Sequence, residues 1–298
     1  MRRFSTLLAL VASLAMVATP VSAQELTDYI DKQAGSTYSG DQTVVCVTPD
    51  GNLTQVASVQ QTAGLRVAEV EDGSLVVSQV GAAGAQDLAA RYEVTPARPG
   101  TFLNRDVIRY NVLDDGVVRM ALTFDEDTGA LLESETFNAD GSLYCRSRLV
   151  TFQPTAQFRS SGYVVEPEGS PVEEPTDAMN RRLPDSIASF QRVAVFEWED
   201  RGIVTGHYSD GLFSMTIFVS DRAIEVPELD DRDPVELESG RYQRGFDVGK
   251  VVYAWRSTDG GYVLVGDLTL DMQEEVLALL PAPERLGFFG RLWRTIFR

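Results

Sequence analysis

The chain contains a single histidine, His207, and this limits the acid–base and nucleophilic chemistry available to it. A serine hydrolase site would have to use this imidazole as the general base. His207 lies in the run Val204-Thr205-Gly206-His207-Tyr208, which has a strand pattern, so a structural role is favoured. One histidine also excludes zinc sites built from several imidazole ligands. We therefore predict no catalytic residues, no metal site and no cofactor, and a protein that is not an enzyme.

Acidic segments offer two other sites that could do chemistry. Asp125-Glu126-Asp127-Thr128-Gly129 is similar to a calcium loop, but its glycine stands at the fifth position and no bidentate Glu stands at the twelfth. A hairpin turn is the better interpretation. Asp230, Asp231 and Asp233 could serve a glycosidase, although acidic loops of this kind are usually solvated. Neither segment therefore points to an enzyme, and we predict a binding protein.

Two cysteines, Cys46 and Cys145, stand in separate runs with strand patterns. If the chain is exported, an even number of cysteines favours a disulfide. We expect a bridge between the first and last strands of one sheet. Two buried free thiols are the alternative, and a redox-active pair is disfavoured because Cys-x-x-Cys spacing is absent.

The first 23 residues have the features of a cleavable secretory signal. Met1-Arg2-Arg3 is basic, Leu7 to Val17 is apolar, and Val21-Ser22-Ala23 fits the small-x-small rule of signal peptidase. The alternative is an uncleaved membrane anchor, but the apolar stretch is shorter than the ~20 residues that a spanning helix needs. We expect an exported protein, periplasmic or otherwise extracytoplasmic, that is soluble or peripheral on the outer face of the cytoplasmic membrane.

The chain of 298 residues carries a formal net charge of −18, which argues against nucleic acid as a partner. After the signal (1–23), we predict a first domain over 24–159 and a linker over 160–177, which is rich in proline and acidic residues. A smaller second domain follows over 178–281, and a tail over 282–298.

Short runs with a period of two, separated by Asp-Gly turns, predict two antiparallel sheets in series and therefore an α+β fold. Helices are expected at Glu25 to Asp31, around Gln86 to Arg91, and after Asp271, which stands with Glu274 at capping-box spacing. We predict strands at 43–47, 53–59, 65–70, 75–80, 106–113, 117–124, 131–138, 143–152, 191–197, 203–209, 213–219, 250–257 and 261–267, with an exposed loop over 225–240.

The tail is basic, unlike the rest of the chain. On a helix its apolar residues share one face and its arginines another, an arrangement that suits the surface of an anionic membrane. Docking onto the acidic surface of the protein itself is the alternative. The predicted membrane-facing residues are Leu286, Phe289, Trp293, Ile296, Arg291 and Arg294.

Two segments resemble the MucB/RseB-type regulators of sigma-E factors. One runs from Leu122 through Asp125, Thr128 and Gly129 to Glu135, and it resembles an Asp-x-x-Thr-Gly strand-turn-strand of that family. The other, Tyr208-Ser209-Asp210-Gly211-Leu212-Phe213, is similar to a Tyr-Ser-Asp-Gly strand pair. The resemblance extends over roughly Thr37 to Leu280.

This resemblance implies a first domain that is a curved, half-open sheet of the lipoprotein-carrier type, covered by short helices and able to hold an acyl chain. It implies a second, smaller sheet with one closing helix that docks a partner. Members of the family bind the extracytoplasmic domain of a membrane anti-sigma factor, protect it from a site-1 protease, and release it when a lipid or envelope ligand binds.

The residues themselves suggest where the partner could dock. Aromatic and apolar side chains flank an Asp-Gly turn, although burial in the core is their alternative fate. The predicted partner-binding residues are Tyr208, Asp210, Gly211, Leu212 and Phe213. The competing function is a carrier or scavenger of lipids or lipoproteins with no signalling partner, and an exported hydrolase ranks third.

Overall fold

The computed structural model of the chain describes residues 21–62, 64–71, 75–79, 85–154, 170–172, 175–199, 201–222, 224 and 234–284. Strands dominate these ranges, and they form one ten-stranded and one nine-stranded sheet. All the strand pairs recorded in both sheets are antiparallel. The predicted α+β class with two antiparallel sheets is therefore confirmed. We call residues 21–154 the first module and residues 170–284 the second module.

The first module contains two helices and the larger sheet, whose strand order is β4-β3-β2-β1-β10-β9-β8-β7-β5, with β6 also paired to β7. Its elements are α1 (Val21–Gly35), β1 (Tyr38–Thr48), β2 (Gly51–Thr62), β3 (Leu65–Val70), β4 (Leu75–Gln79), α2 (Ala85–Arg91), β5 (Glu93–Val94), β6 (Arg98–Phe102), β7 (Arg105–Asp114), β8 (Val117–Asp125), β9 (Leu131–Phe137) and β10 (Leu143–Leu149).

The second module contains the smaller sheet, in the order β11-β13-β14-β15-β19-β18-β17-β16, with β12 also paired to β13. Its elements are β11 (Ser170–Pro171), α3 (Asp177–Arg182), β12 (Ser186–Ile187), β13 (Phe190–Trp198), β14 (Ile203–Ser209), β15 (Ser214–Ser220), β16 (Val235–Leu237), β17 (Gly240–Asp247), β18 (Lys250–Ser257), β19 (Gly260–Gly266) and α4 (Leu270–Leu279).

The two cysteines meet where the chain brings its first and last long strands of the larger sheet together. β1 pairs with β10, and Cys46 lies directly opposite Cys145. The two residues form a disulfide across a sequence separation of 99. The predicted cross-strand bridge is confirmed.

The larger sheet has an apolar inner face and a polar outer face because its strands alternate. On the inner face, Tyr29 of α1 packs against Tyr110 and Phe124, with ring centroids 5.9 and 5.5 Å apart. On the outer face, Arg109 and Arg146 bind the buried Glu135. Burial alone would raise the pKa of Glu135, but the hydrogen bonds from both arginines outweigh it and lower the pKa. The inner face is thus the one that must be covered by other elements.

The Asp125 segment forms a hairpin turn, as predicted. The Asp125 carboxylate accepts hydrogen bonds from the backbone N–H and the hydroxyl of Thr128, at 2.9 and 2.6 Å. Arg105 binds the same carboxylate. Within the described residues, no group of three or more His, Cys, Asp or Glu side chains is arranged to hold a metal ion.

Two predictions about the second module are wrong. Asp271 is not the cap of the closing helix, because α4 begins at Leu270 with Thr269 as its N-cap residue. The predicted loop over 225–240 contains strand β16, and β17 begins at its last residue. A strand was missed here because the stretch is acidic and contains proline, a composition that masks the short apolar alternation.

Several predicted segments lie outside the described residues. They are most of the signal (1–20), the linker residues 160–169, 173 and 174, the carboxylates Asp230, Asp231 and Asp233, and the tail residues Leu286, Phe289, Arg291, Trp293, Arg294 and Ile296. Ser22 and Ala23, at the predicted cleavage site, lie in the first turn of α1, which begins at Val21. None of the helices in the described ranges has the length and apolar character needed to cross a membrane.

We expect the disulfide to contribute about 2 to 4 kcal/mol to the free energy of unfolding, because it closes a long loop in the unfolded chain. Replacing both Cys46 and Cys145 by Ala should lower the urea midpoint accordingly, measured by fluorescence. The control is the wild type under reducing conditions, which should shift in the same direction. An unchanged midpoint in the double variant would contradict this contribution.

Candidate functional site: the cleft between the two sheets

A cavity of about 340 Å³ lies between the inner face of the larger sheet and two turns of the second module. This volume falls in the range of small-molecule sites, ~300 to 1,000 Å³. Its apolar lining is Ile30, Val44, Leu88, Met120, Leu122, Leu131, Cys145, Leu212, Phe213 and Val248, and its polar lining is Gln33, Gln42, Arg66, Ser134, Thr136, Ser147, Ser209, Ser214, Lys250 and Asp267, with Gly211 and Gly249 at the turns.

One of the two turns joins β14 to β15 and is held by a single carboxylate. Asp210 Oδ1 accepts the N–H groups of Leu212 and Phe213 at 3.0 and 2.8 Å. Its Oδ2 accepts the hydroxyl of Tyr92, in the first module, at 2.6 Å. Burial and the adjacent carboxylate raise the pKa of Tyr92, so its hydroxyl stays protonated and donates. Asp210 therefore shapes the turn and attaches it to the first module.

The predicted partner-binding residues all belong to this turn or to the strand before it. Tyr208 is buried and its hydroxyl donates to the carbonyl of Pro184. Phe213 is also buried, in an apolar cluster that includes Tyr92. Leu212 is partly buried and lines the cavity. Asp210 bonds to the first module, whereas the Tyr208 hydroxyl bonds within the second module, and Gly211 adopts φ 94°, as the turn requires.

A second set of contacts joins the start of α4 to the larger sheet. Arg119 is 5% exposed and donates to the Asp271 carboxylate at 2.8 Å and to the Thr269 hydroxyl at 3.1 Å. Gln273 donates to the Tyr144 hydroxyl at 2.8 Å and accepts from Tyr253 at 2.7 Å. These residues were missed from the sequence. Arg119 gave a signal, since a charged residue stands there inside the apolar run Val117 to Leu122.

The second turn that lines the cavity joins β17 to β18. Val248 and Gly249 form it, and at its base the backbone of Asp247 lies opposite that of Lys250 in the strand pair. A Cβ placed on Gly249 would lie 3.1 Å from Cγ1 of Val44, so the turn lies close against the larger sheet. Nearby, Arg244 of β17 forms an ion pair with Asp50 of the first module.

Both modules contribute polar groups to the lining of the cavity. Arg66 donates to Gln42, which donates to Ser147, so these three side chains form a chain on the larger sheet. Asp267 accepts the backbone N–H of Ser214 at 2.6 Å. Burial from water raises the pKa of Asp267 to about 6, against the lowering effects of this hydrogen bond and of Lys250. An amphipathic ligand matches a cleft whose lining contains both apolar and polar groups.

His207, the single histidine, lies on β14 and does not line the cavity. Its Nδ1 is 3.3 Å from the Thr216 hydroxyl, and its ring contacts Phe196 edge-on at 5.2 Å. These contacts fit the structural role expected from the sequence.

Removing the hydroxyl of Tyr92 should weaken the attachment of the β14–β15 turn. We expect Tyr92→Phe to lower the free energy of unfolding by about 1.5 to 3 kcal/mol, since the lost hydrogen bond goes to a carboxylate. Urea unfolding measures this change, and hydrogen exchange should increase at Leu212 and Phe213. Tyr242→Phe is the matched control, because its hydroxyl bonds to Ser239 within the second module. Equal exchange at the turn in both variants would contradict the role of Tyr92.

The raised pKa of Asp267 predicts a pH dependence of stability. Its folded-state pKa of about 6 exceeds the ordinary aspartate value of 3.8, so the folded state binds more protons between these values. The contribution of Asp267 to stability therefore falls as the pH rises from about 4 to about 6. Asp267→Asn should remove this component from the pH profile of the urea midpoint. A profile that keeps the wild-type slope in the variant would contradict the shift.

No family model and no curated protein sequence matches this chain. Among solved structures, it is similar to MucB in its complex with MucA from Pseudomonas aeruginosa, with 17% identity over 89% of this chain and 99% of that chain and a TM-score of 0.46. A crystal structure of MucB is 17% identical over 88% of this chain and 98% of that chain, with a TM-score of 0.47. A LolA superfamily protein from Nitrosomonas europaea is 9% identical over 46% of this chain and 96% of that chain, with a TM-score of 0.24. MucB, the protein of the first two structures, also gives its name to the family that the segments around Asp125 and Tyr208 resemble in sequence.

Proposed function

We propose that this chain is an extracytoplasmic regulator that binds the outer domain of a membrane anti-sigma factor and protects that domain from proteolysis. A lipid that enters the cleft between the two sheets weakens the complex. The proposal unites the sequence resemblance with the position of the cleft.

The observation that carries the proposal is the location of the Tyr208-to-Phe213 segment. This segment carries the resemblance to the regulator family, and in the fold it is one of the parts of the second module that attach to the first. Leu212 and Phe213, at its end, also line the cavity. A ligand in the cavity therefore touches the turn that positions the two modules relative to each other.

This arrangement supports a shift between two placements of the modules. The polar contacts of Asp210 with Tyr92 and of Arg119 with Asp271 can break and re-form without unfolding either sheet. A ligand that binds one placement better than the other shifts the equilibrium by its difference in affinity. A partner that spans both modules would be released in the same way.

The lining of the cleft supports a lipid as the ligand. Leu88, Met120 and Leu122 offer an apolar surface on the first module, and Arg66 adds a cation to the lining. An acyl chain with an anionic head group satisfies both kinds of group at once. The predicted secretory signal and the net charge of −18 agree with a protein that works outside the cytoplasm and does not bind nucleic acid.

The same cleft supports a second candidate function, a carrier or scavenger of lipids or lipoproteins without a signalling partner. The apolar inner face of the larger sheet, incompletely covered by α1 and α2, is the observation that favours it. Bound lipid would then be cargo, and the placement of the second module would control loading.

The test mixes the purified chain with the outer domain of an anti-sigma factor from the same genome. We expect a complex in size-exclusion chromatography at both 50 and 150 mM salt, and slower cleavage of the outer domain by its site-1-type protease. Palmitate should dissociate the complex, because its chain covers the apolar lining of the cleft. Butyrate is the matched control, since it carries the same carboxylate without the long chain.

Absence of the complex at both salt concentrations would refute the regulator. If palmitate binds but no complex forms, the carrier function is the better account. If the complex forms and palmitate leaves it intact, binding of the anti-sigma factor stands and the lipid response is wrong.

A further inference from the structure

We infer that Val248, at the tip of the β17–β18 turn, is a displaceable stopper of the cleft that an incoming acyl chain pushes aside. The inference rests on the lipid part of the proposed function and names the element that moves. Its basis is the backbone of the turn together with what the valine side chain contacts.

The turn has an unusual sequence for its geometry. Val248 and Gly249 have φ angles of 44° and 82°, so both lie in the left-handed region of a two-residue type I′ hairpin turn. Asn-Gly and Asp-Gly are the favoured sequences there, and a β-branched residue with this backbone is a genuine outlier. The turn therefore holds the backbone of Val248 in a strained conformation.

The same chain contains another turn of this geometry, with the favoured sequence Asp-Gly. Asp115 and Gly116 join β7 to β8 with φ angles of 50° and 79°, nearly those of Val248 and Gly249. Both residues of that turn are exposed. The difference between the two turns is that the one with valine lies against the other module.

Apolar contacts with the first module offset the strain at Val248. Its side chain packs against the cluster around Tyr38 and Leu149, and against the cluster that contains Val44 and the disulfide. Leu103, with φ 51°, packs against the Tyr38 cluster in the same way. Two left-handed apolar residues, Val248 and Leu103, thus pack against the Tyr38 cluster.

Only one of these two left-handed residues lines the cavity. Val248 and Gly249 contribute to its wall, whereas Leu103 does not. The other turn of the wall is fixed by the hydrogen bonds to Asp210. The β17–β18 turn is therefore the wall that can move: an acyl chain replaces the apolar contacts of Val248, and the turn then relaxes from its strained backbone.

The test compares Val248→Asn with the wild type in binding cis-parinaric acid, a fluorescent fatty acid, by titration. Asparagine suits the left-handed backbone and removes the apolar contacts that the ligand must displace. We expect the variant to bind about fivefold more tightly or better. Asp115→Asn is the matched control, since it makes the equivalent change in the exposed turn, and its affinity should equal that of the wild type.

A second measurement uses the wild type alone. Saturation with cis-parinaric acid should increase hydrogen exchange of the backbone amides from Val248 to Lys250 and leave those of Leu212 and Phe213 unchanged. This readout keeps the inference testable even if Val248→Asn folds poorly.

The outcomes separate the stopper from the proposed function. Equal affinity of Val248→Asn and the wild type, or unchanged exchange at the β17–β18 turn with ligand bound, would overturn the stopper and leave lipid binding intact. Failure of both proteins to bind the fatty acid would overturn the stopper together with the lipid response. Binding of the anti-sigma factor is measured separately by chromatography and survives either result.

Discussion

The carboxylate of Asp210 is the constraint on which the arrangement of this protein depends. It receives two backbone N–H groups of its own turn and the hydroxyl of Tyr92 from the other module. A buried carboxylate is stable only when its oxygens are satisfied in this way. The shape of the turn and the placement of the second sheet are therefore set by the same side chain. Disturbing one of them necessarily disturbs the other.

The two modules are joined by polar contacts and by an apolar cluster that contains buried residues of both, Tyr92 and Phe213 among them. Tyr92 and Asp210 join them on one side, and Arg119 and Asp271 on another. Hydrogen bonds fix directions and distances, so the side chains between them need not fill the remaining space. The cavity between the modules is lined by apolar groups of the larger sheet and by polar groups that include Arg66. The mixed lining of this cavity is what supports the proposed amphipathic ligand.

The local pattern of the sequence was sufficient to predict most strands, the disulfide pairing and the Asp125 turn, since each depends on neighbours along the chain or on an adjacent strand. The cap of α4 was mispredicted because Asp271 is used by a residue far away in sequence, Arg119. The orientation of the turn at Asp210 also depends on a distant residue, Tyr92. Period and composition carry no information about which surfaces of two sheets face each other.

The two walls of the cleft are held in place differently, and this difference bears on which wall moves in the proposed stopper. Beneath the cavity, the disulfide cross-links β1 and β10, which also pair along their backbones. Across from it, the strained turn at Val248 packs against the first module through the apolar contacts of the valine side chain. When a ligand replaces such contacts, the element that stores strain moves first. In the proposed stopper, occupancy of the cleft is passed to the second module, whose sheet carries the turn.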